Sequence, residues 1–233
     1  MSEKNSAANC VVCGGVTRTL RDPQLKRPTP VHYDVCDRCG FIRKQAAFHL
    51  EAADEKASYD LHHNGFDSPG YVAMFERFIA EAINPFITEG KGLDFGSGPG
   101  PVLHHLLQKK GFKMRHYDPY YHPNKDALDA HYDLITTTEV LEHLSDPVGT
   151  IDTVLARLNP GGILAIQTLF HPRDDTAFLD WWYRRDDTHI GFFTPKTFEK
   201  IVEKHAAKII YTNDKNIVVI QKEKRERHET IHP

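Results

Sequence analysis

From about residue 91 onward, short apolar runs alternate with longer stretches whose apolar positions recur every three or four residues. The first pattern suits buried strands and the second amphipathic helices. Strands are predicted at Lys91–Phe95, Phe112–Tyr117, Tyr132–Thr137, Gly162–Leu169, Lys208–Tyr211 and Ile217–Gln221. Helices are predicted at Pro101–Lys110, Pro147–Leu158 and Pro195–His205. Val102, Leu103, Leu106 and Leu107 form one apolar stripe; Val148, Ile151, Val154, Leu155 and Leu158 form another. Pro147 and Pro195 suit first-turn positions behind Asp146 and Thr194 as N-caps, and Asn159-Pro160-Gly161-Gly162 stops its helix. Asn213-Asp214-Lys215-Asn216 is turn chemistry between the last two strands and predicts a closing hairpin. Such alternation argues for an α/β fold, a mostly parallel sheet covered by helices. Residues 49–88 read as a helical lead, with Tyr71, Met74, Phe75, Phe78 and Ile79 on one side.

Composition narrows the class. The 233 residues are 40% hydrophobic and 26% charged, ordinary globular usage that argues against disorder, collagen and coiled coil. No apolar run is long enough to span a bilayer, and Met1–Ser6 has no apolar signal core, so a cytoplasmic protein with no membrane partner is expected. The net charge of -3 is unevenly spread. Residues 1–48 carry eight Lys/Arg against four Asp/Glu, a net of +4, which leaves -7 for the other 185 residues.

All four cysteines lie in that first segment, as Cys10-Val11-Val12-Cys13 and Cys36-Asp37-Arg38-Cys39. Two C-x-x-C pairs without a secretory signal read as a metal site before a disulfide framework. The 22 residues between them allow a short hairpin that brings four thiolates around one tetrahedral, structural zinc. Gly14, Gly15 and Gly40 follow the pairs, where knuckle turns call for positive φ. Thiolates and zinc together reduce the charge of the segment to about +2, a mildly basic face and no nucleic-acid stripe.

The central chemistry begins at Asp94-Phe95-Gly96-Ser97-Gly98-Pro99-Gly100, where a strand turns into a helix. Glycines there let the backbone pass close beneath a ligand, and the helix start offers unpaired N–H groups. A dinucleotide fingerprint would need glycine at 101, where Pro101 stands. Asp118 ends the next strand, 22 residues after Gly96, where a carboxylate can accept from both ribose hydroxyls of an adenosine.

With these residues the sequence resembles the class I S-adenosylmethionine-dependent methyltransferases. The (D/E)-x-G-x-G-x-G signature is matched by Asp94, Gly96, Gly98 and Gly100; Tyr132-Asp133-Leu134-Ile135 and Pro160-Gly161-Gly162 match later motifs. The resemblance covers about 85–222 and implies a doubly wound, Rossmann-like sheet with S-adenosyl-L-methionine on the glycine loop. In it Asp94 orients the amino end of the cofactor, Asp118 holds the ribose, and Ser97 and Glu139 complete the cofactor set. Only 13 residues separate Asp118 from Tyr132, too few for a crossover helix and the usual third strand, so a sheet one strand short is expected.

A second cluster follows the fourth-strand motif. Glu139, Glu142 and His143 are spaced to share one face of a helical turn, and Asp187-Thr188-His189 comes later, before Phe192-Phe193. Glu139, Glu142, His143 and His189 could ligate a divalent ion (Mg or Zn) with positions open for substrate oxygens. Glu-x-x-Glu-His with a later Thr-His resembles the ubiquinone-pathway O-methyltransferases and the enzymes that methylate the terminal 2′-hydroxyl of small RNAs. Two further readings stay open: His143 or His189 as a metal-free general base, and a His that only lines the pocket. Phe178–Arg185 holds both tryptophans, read either as a lid over the acceptor or as a local core, with Arg184 and Arg185 as a candidate anion clamp. Tyr59, His62 and His63 stand where related enzymes carry a cofactor lid.

The expected organisation is a zinc ribbon over 1–48, a helical lead and cofactor lid over 49–88, a methyltransferase domain over 89–222 and a frayed tail over 223–233. The expected function is O-methylation of a small-molecule hydroxyl. RNA or sugar-carbon methylation is the alternative within the enzyme class. A non-catalytic, cofactor-binding interaction protein is the alternative outside it. Nothing in the sequence sets the oligomeric state.

Overall fold

The computed structural model describes residues 8–23, 30–61 and 65–224. Two sheets organise them. The first holds β1 (Arg18–Asp22), β2 (Val31–Val35) and β3 (Ile42–Lys44), antiparallel in that order, then β8 (Gly191–Phe192). The second, six-stranded among the described residues, is built from β4 (Lys91–Phe95), β5 (Lys113–Tyr117), β6 (Tyr132–Thr138), β7 (Leu158–Gln167), β9 (Ala207–Thr212) and β10 (Ile217–Lys222). Its order is β5-β4-β6-β7-β10-β9. β4, β5, β6 and β7 pair in parallel, while β10 runs antiparallel to both β7 and β9.

Alternation along the strands assigns the two faces. Ile135, Leu164, Ile166, Val218 and Ile220 pack under α4 (Pro147–Ala156) and α6 (Pro195–Val202). Leu134, Ile163, Ala165, Ile217 and Val219 pack under α2 (Pro69–Phe78), its π-helical continuation Ile79–Ile83, and α3 (Val102–Lys109). Helices on both faces make the sheet doubly wound, as expected. Each fully buried Leu or Ile contributes about 1.5–3 kcal/mol of transfer free energy, so the central strands hold the site rigidly from below.

The strand shortage is also as expected. Between β5 and β6 the chain makes a tight turn, in which Asp118 and His122 exchange backbone bonds of 3.1 and 3.0 Å, and then a 3-10 turn at Lys125–Leu128. β5 is therefore an edge, flanked by a cleft of about 700 Å³ lined by His104, Arg115, His116, His122 and Asp126. None of the predicted site residues lines that cleft.

Several boundaries differ from the pattern. β7 starts at Leu158, ahead of the predicted Gly162, because the chain re-enters the sheet through Pro160-Gly161-Gly162 with a register shift against β6. The predicted caps form: Asp146 accepts from Gly149 N–H at 2.9 Å, and Thr197 Oγ1 accepts from Thr194 N–H at 3.1 Å. α5 (Asp175–Asp180) and β8 carry no periodic signal and escaped the sequence reading. The helical lead comprises α1 (Ala52–Asp60) and α2; His62 and His63, and positions 225–233 of the tail, lie outside the described residues.

The ribbon is fused to the larger sheet's core. Cys10, Val12, Cys36, Cys39 and Phe41 belong to the same apolar cluster as Phe193, Phe198 and Ile201. Lys204 Nζ donates to Val12 O at 2.7 Å, and a buried ion pair joins Asp22 of β1 to Arg184.

Candidate active site

The glycine loop leaves the carboxyl end of β4. Gly96 has φ +78°, and a Cβ there would meet Val140 Cγ2 at 2.3 Å, so both backbone and packing require glycine. Gly98, at φ +64°, has open space around its Cα and donates its N–H to Asp118 Oδ2 at 3.0 Å. Asp118 Oδ1 accepts from Tyr120 and Tyr121 N–H at 2.9 and 3.0 Å. The Asp118 carboxylate thus fixes the glycine loop and its own turn against each other. Asp94, buried, accepts from Thr136 Oγ1 at 2.9 Å, and burial pushes its pKa up to about 7. Ser97 is buried in the same loop.

The acceptor cluster departs from the predicted helical turn. Glu139 sits at φ +53°, and only Leu141–His143 forms a 3-10 turn. Glu139 therefore leaves the face that Glu142 and His143 occupy. Its carboxyl meets Gln167 Nε2 at 3.2 Å and Tyr183 Oη at 2.9 Å. Burial, followed by Glu142, pushes Glu139 up to about 8. Tyr183 also bonds Glu142 Oε1. A phenol has one proton, so one of these two contacts is made by a protonated carboxyl. Burial raises both Glu139 and Glu142, and the proton is shared within this pair.

Glu142 is fully buried, burial raises its pKa, and its Oε2 has no hydrogen-bond partner. Ligand atoms of Glu142, His143 and His189 all lie within 4.8 Å of one another. His143 Nδ1 is 3.2 Å from Thr188 O, and His189 Nδ1 is 2.7 Å from Tyr183 O. A carbonyl only accepts, so both Nδ1 atoms carry hydrogen, and the His189 ring, when neutral, keeps its lone pair on Nε2, 3.9 Å from Asp186 Oδ2. Burial, with His143 next, lowers His189 to about 4 and keeps it neutral. Two imidazoles oriented by carbonyls beside an unpaired carboxylate oxygen suit a divalent cation or a shared proton. Glu139 is outside this group.

The four-cysteine cluster has the geometry of a tetrahedral site. Cys10 and Cys39 Sγ are 3.6 Å apart, and Cys13 and Cys36 Sγ 3.5 Å, with no disulfide among them. Zn–S bonds of about 2.3 Å place sulfurs about 3.8 Å apart, so the four residues fit zinc. Gly14 and Gly40 close the knuckles at φ +68° and +77°, donating to Cys10 O and Cys36 O at 2.8 Å. Gly15 lacks the predicted positive φ; it is needed for space, since a Cβ there would stand 3.2 Å from Arg38 and 3.3 Å from Cys13 Sγ.

The aromatic segment resolves into two parts. Trp181 packs against a small core of Tyr33, Phe178, Tyr183 and Phe192, while Trp182 is 67% exposed. Arg184, read as an anion clamp, is instead buried and paired with Asp22, and Arg185 Nη2 donates to Asp180 O at 3.1 Å. Sequence reasoning missed Tyr183 and Lys44. Tyr183 was legible only as one ring among four; Lys44 had no signal beyond its place next to an apolar run.

A family model described as a methyltransferase domain matches residues 70–211. Two ubiquinone biosynthesis O-methyltransferases are similar to parts of the chain. That of Vibrio cholerae serotype O1 is 31% identical over 91 residues, 39% of this chain and 37% of its own length. That of Dinoroseobacter shibae is 28% identical over 123 residues, 48% of each chain. The chain thus spans less than half the length of these curated relatives. Among solved structures, the N-methyltransferase NodS from Bradyrhizobium japonicum WM9 in complex with S-adenosyl-L-homocysteine aligns with a TM-score of 0.46. It is 15% identical over 73% of this chain and 97% of its own.

Proposed function

We infer what this chain methylates from one premise: it belongs to the methyltransferase-domain family and is an S-adenosyl-L-methionine-dependent methyltransferase. The acceptor we propose is a hydroxyl of a small molecule. The observation that carries this reading is the meeting of Glu142, His143 and His189 within 4.8 Å, with the Nδ1 of each imidazole turned to a backbone carbonyl. Methyl transfer to oxygen forms an O–CH3 bond as the C–S bond of the sulfonium breaks, and the hydroxyl proton must leave. Positioning and deprotonation are the whole task of the protein. The named activity of the two bacterial relatives supports oxygen over nitrogen or carbon.

The unpaired, buried Glu142 Oε2 favours a divalent cation held by Glu142, His143 and His189 over a lone histidine base. Such a cation would lower the proton affinity of the acceptor hydroxyl. Asp94, the glycine loop and Asp118 form the cofactor side. α1 forms a lid above it, where Tyr59 lies edge-on to His143 at 5.3 Å between ring centroids. A small molecule is favoured over RNA because three of the ribbon's described basic side chains already have partners within the protein. Arg18 pairs with Asp37 and Asp175, Arg43 donates to Ser145 O, and Lys44 donates to Asp187 O.

The test is methyl transfer from labelled cofactor to a panel of phenols and catechols, with an RNA extract and a deoxysugar nucleotide alongside. Label on a phenol oxygen, lost in His189→Ala by at least about a hundredfold, is the expected result. Label only on RNA or on carbon would overturn the reading. Turnover that survives a chelator, at a dose that leaves the cysteine-bound zinc in place, would assign His189 as a metal-free base.

A further inference from the structure

β3 reaches further into the acceptor centre than a docking contact requires. It lies between β2 and β8, with Ile42 opposite Phe192 and Arg43 opposite Gly191. Lys44 N–H then donates to Ile190 O at 2.8 Å. Successive side chains of a strand diverge, and each of the two basic ones ends on a backbone carbonyl of the acceptor centre. Arg43 Nη2 donates to Ser145 O at 2.7 Å, two residues beyond His143. Lys44 Nζ donates to Asp187 O at 2.9 Å, two residues before His189. Lys44 is only 2% exposed. Burying an ammonium group is strongly unfavourable unless hydrogen bonds compensate it, and a methionine would fill the same volume without that penalty.

We propose that Arg43 and Lys44 are positioning residues for methyl transfer: through them the ribbon strand sets the spacing of His143 and His189. The proposal rests on the acceptor-centre reading above. The two rings, from segments 46 positions apart in sequence, stand 4.7 Å between centroids. A backbone bond, Ile190 N–H to Glu142 O at 2.8 Å, joins the segments, and His143 itself reaches Thr188 O. β3 adds one side-chain bond to each side. A productive site tolerates about 0.5 Å of drift, less than two ties between loop segments ensure.

The experiment uses full-length, zinc-loaded protein as wild type, Lys44→Met and Arg43→Met. Manganese(II) alone is the metal probe, followed by electron paramagnetic resonance, and the imidazole Nδ1–H resonance of His189 reports its bond to Tyr183 O. In K44M this resonance is expected to shift or broaden and manganese affinity to fall about tenfold. R43M should weaken manganese through the His143 side. Zinc content and S-adenosylhomocysteine affinity should stay within about twofold of wild type in both. An unaltered His189 resonance together with wild-type manganese affinity in both variants overturns the proposal. If the wild type binds no manganese, the cation reading of the centre fails, and the His189 resonance alone decides the positioning role. Should K44M not fold, K44Q, which keeps a neutral N–H donor, carries the same comparison.

Discussion

A carboxyl ending a sheet strand is ordinarily ionised at neutral pH, but Asp94 is buried and its pKa is raised to about 7, the Thr136 hydroxyl only partly opposing the burial. In the free protein it is partly protonated near pH 7. Its folded value exceeds the unfolded one, so its stabilising contribution is complete below about pH 4 and is lost as pH rises through 7. In the cofactor site proposed for Asp94, the amino end of the cofactor would reverse the preference, since an ammonium group favours the ionised carboxylate. Calorimetry should therefore show S-adenosylhomocysteine affinity rising by up to about tenfold per unit between pH 5 and 7, then levelling. Asp94→Asn should bind more weakly and show a flat profile; an unchanged slope would remove Asp94 from the cofactor site. Asp94, Asp118 and the four cysteines were legible because their spacing alone carries the motif. Glu139 was misplaced because a helical spacing rule ignores the left-handed conformation it adopts at φ +53°. Tyr183 and the Asp22–Arg184 pair had no local signal, since their partners lie 41 and 162 positions away.

At the scale of elements, α1 differs from every other helix described. It buries no residue, so apolar packing contributes little to holding it. Side-chain bonds to the turn after β5 hold it instead: Tyr120 donates to Glu55 and Tyr121 to Asp60, both at 2.7 Å. That turn is the one whose Asp118 carboxylate clamps the glycine loop, so with cofactor on that loop, as proposed, opening of α1 is expected to be linked to its release. Glu55→Gln weakens one of these two bonds. It should lower global stability by less than about 1 kcal/mol, because exposed hydrogen bonds are worth little. It should nevertheless speed S-adenosylhomocysteine dissociation several-fold in stopped-flow fluorescence. An unaltered off-rate would make α1 a surface helix and nothing more. The main-sheet strands were readable because their apolar runs are uninterrupted. α5 and β8 were not, because their structure is imposed by the ribbon they pack on.

For the whole molecule, the +4 and -7 halves suggest two bodies, yet opposite charges meet where they join. Arg18 bonds Asp175 at 2.7 and 2.8 Å, and Asp22 pairs with Arg184 in an interior where both side chains are 3% exposed. The four-cysteine cluster shares its apolar core with α6, and the Thr194 and Thr197 hydroxyls approach Cys39 O at 3.4 and 3.1 Å. Zinc binding in small all-cysteine sites is folding energy as much as ligation energy. Coupled to this core, it should act on the entire chain. Purified protein is expected to carry about one zinc per chain and to melt in a single calorimetric transition. Cys36→Ser should lose the metal and lower the midpoint of that one transition by about 10 °C or more, as a loss of several kcal/mol implies at this size. Two separate transitions in the zinc-loaded protein would mean that the ribbon folds on its own. In that case β3 could not set the geometry of the acceptor centre, because a strand that melts apart from its neighbour cannot hold β8 in place. A single transition makes the ribbon part of the same framework as the acceptor centre, with Lys44 buried where the two meet.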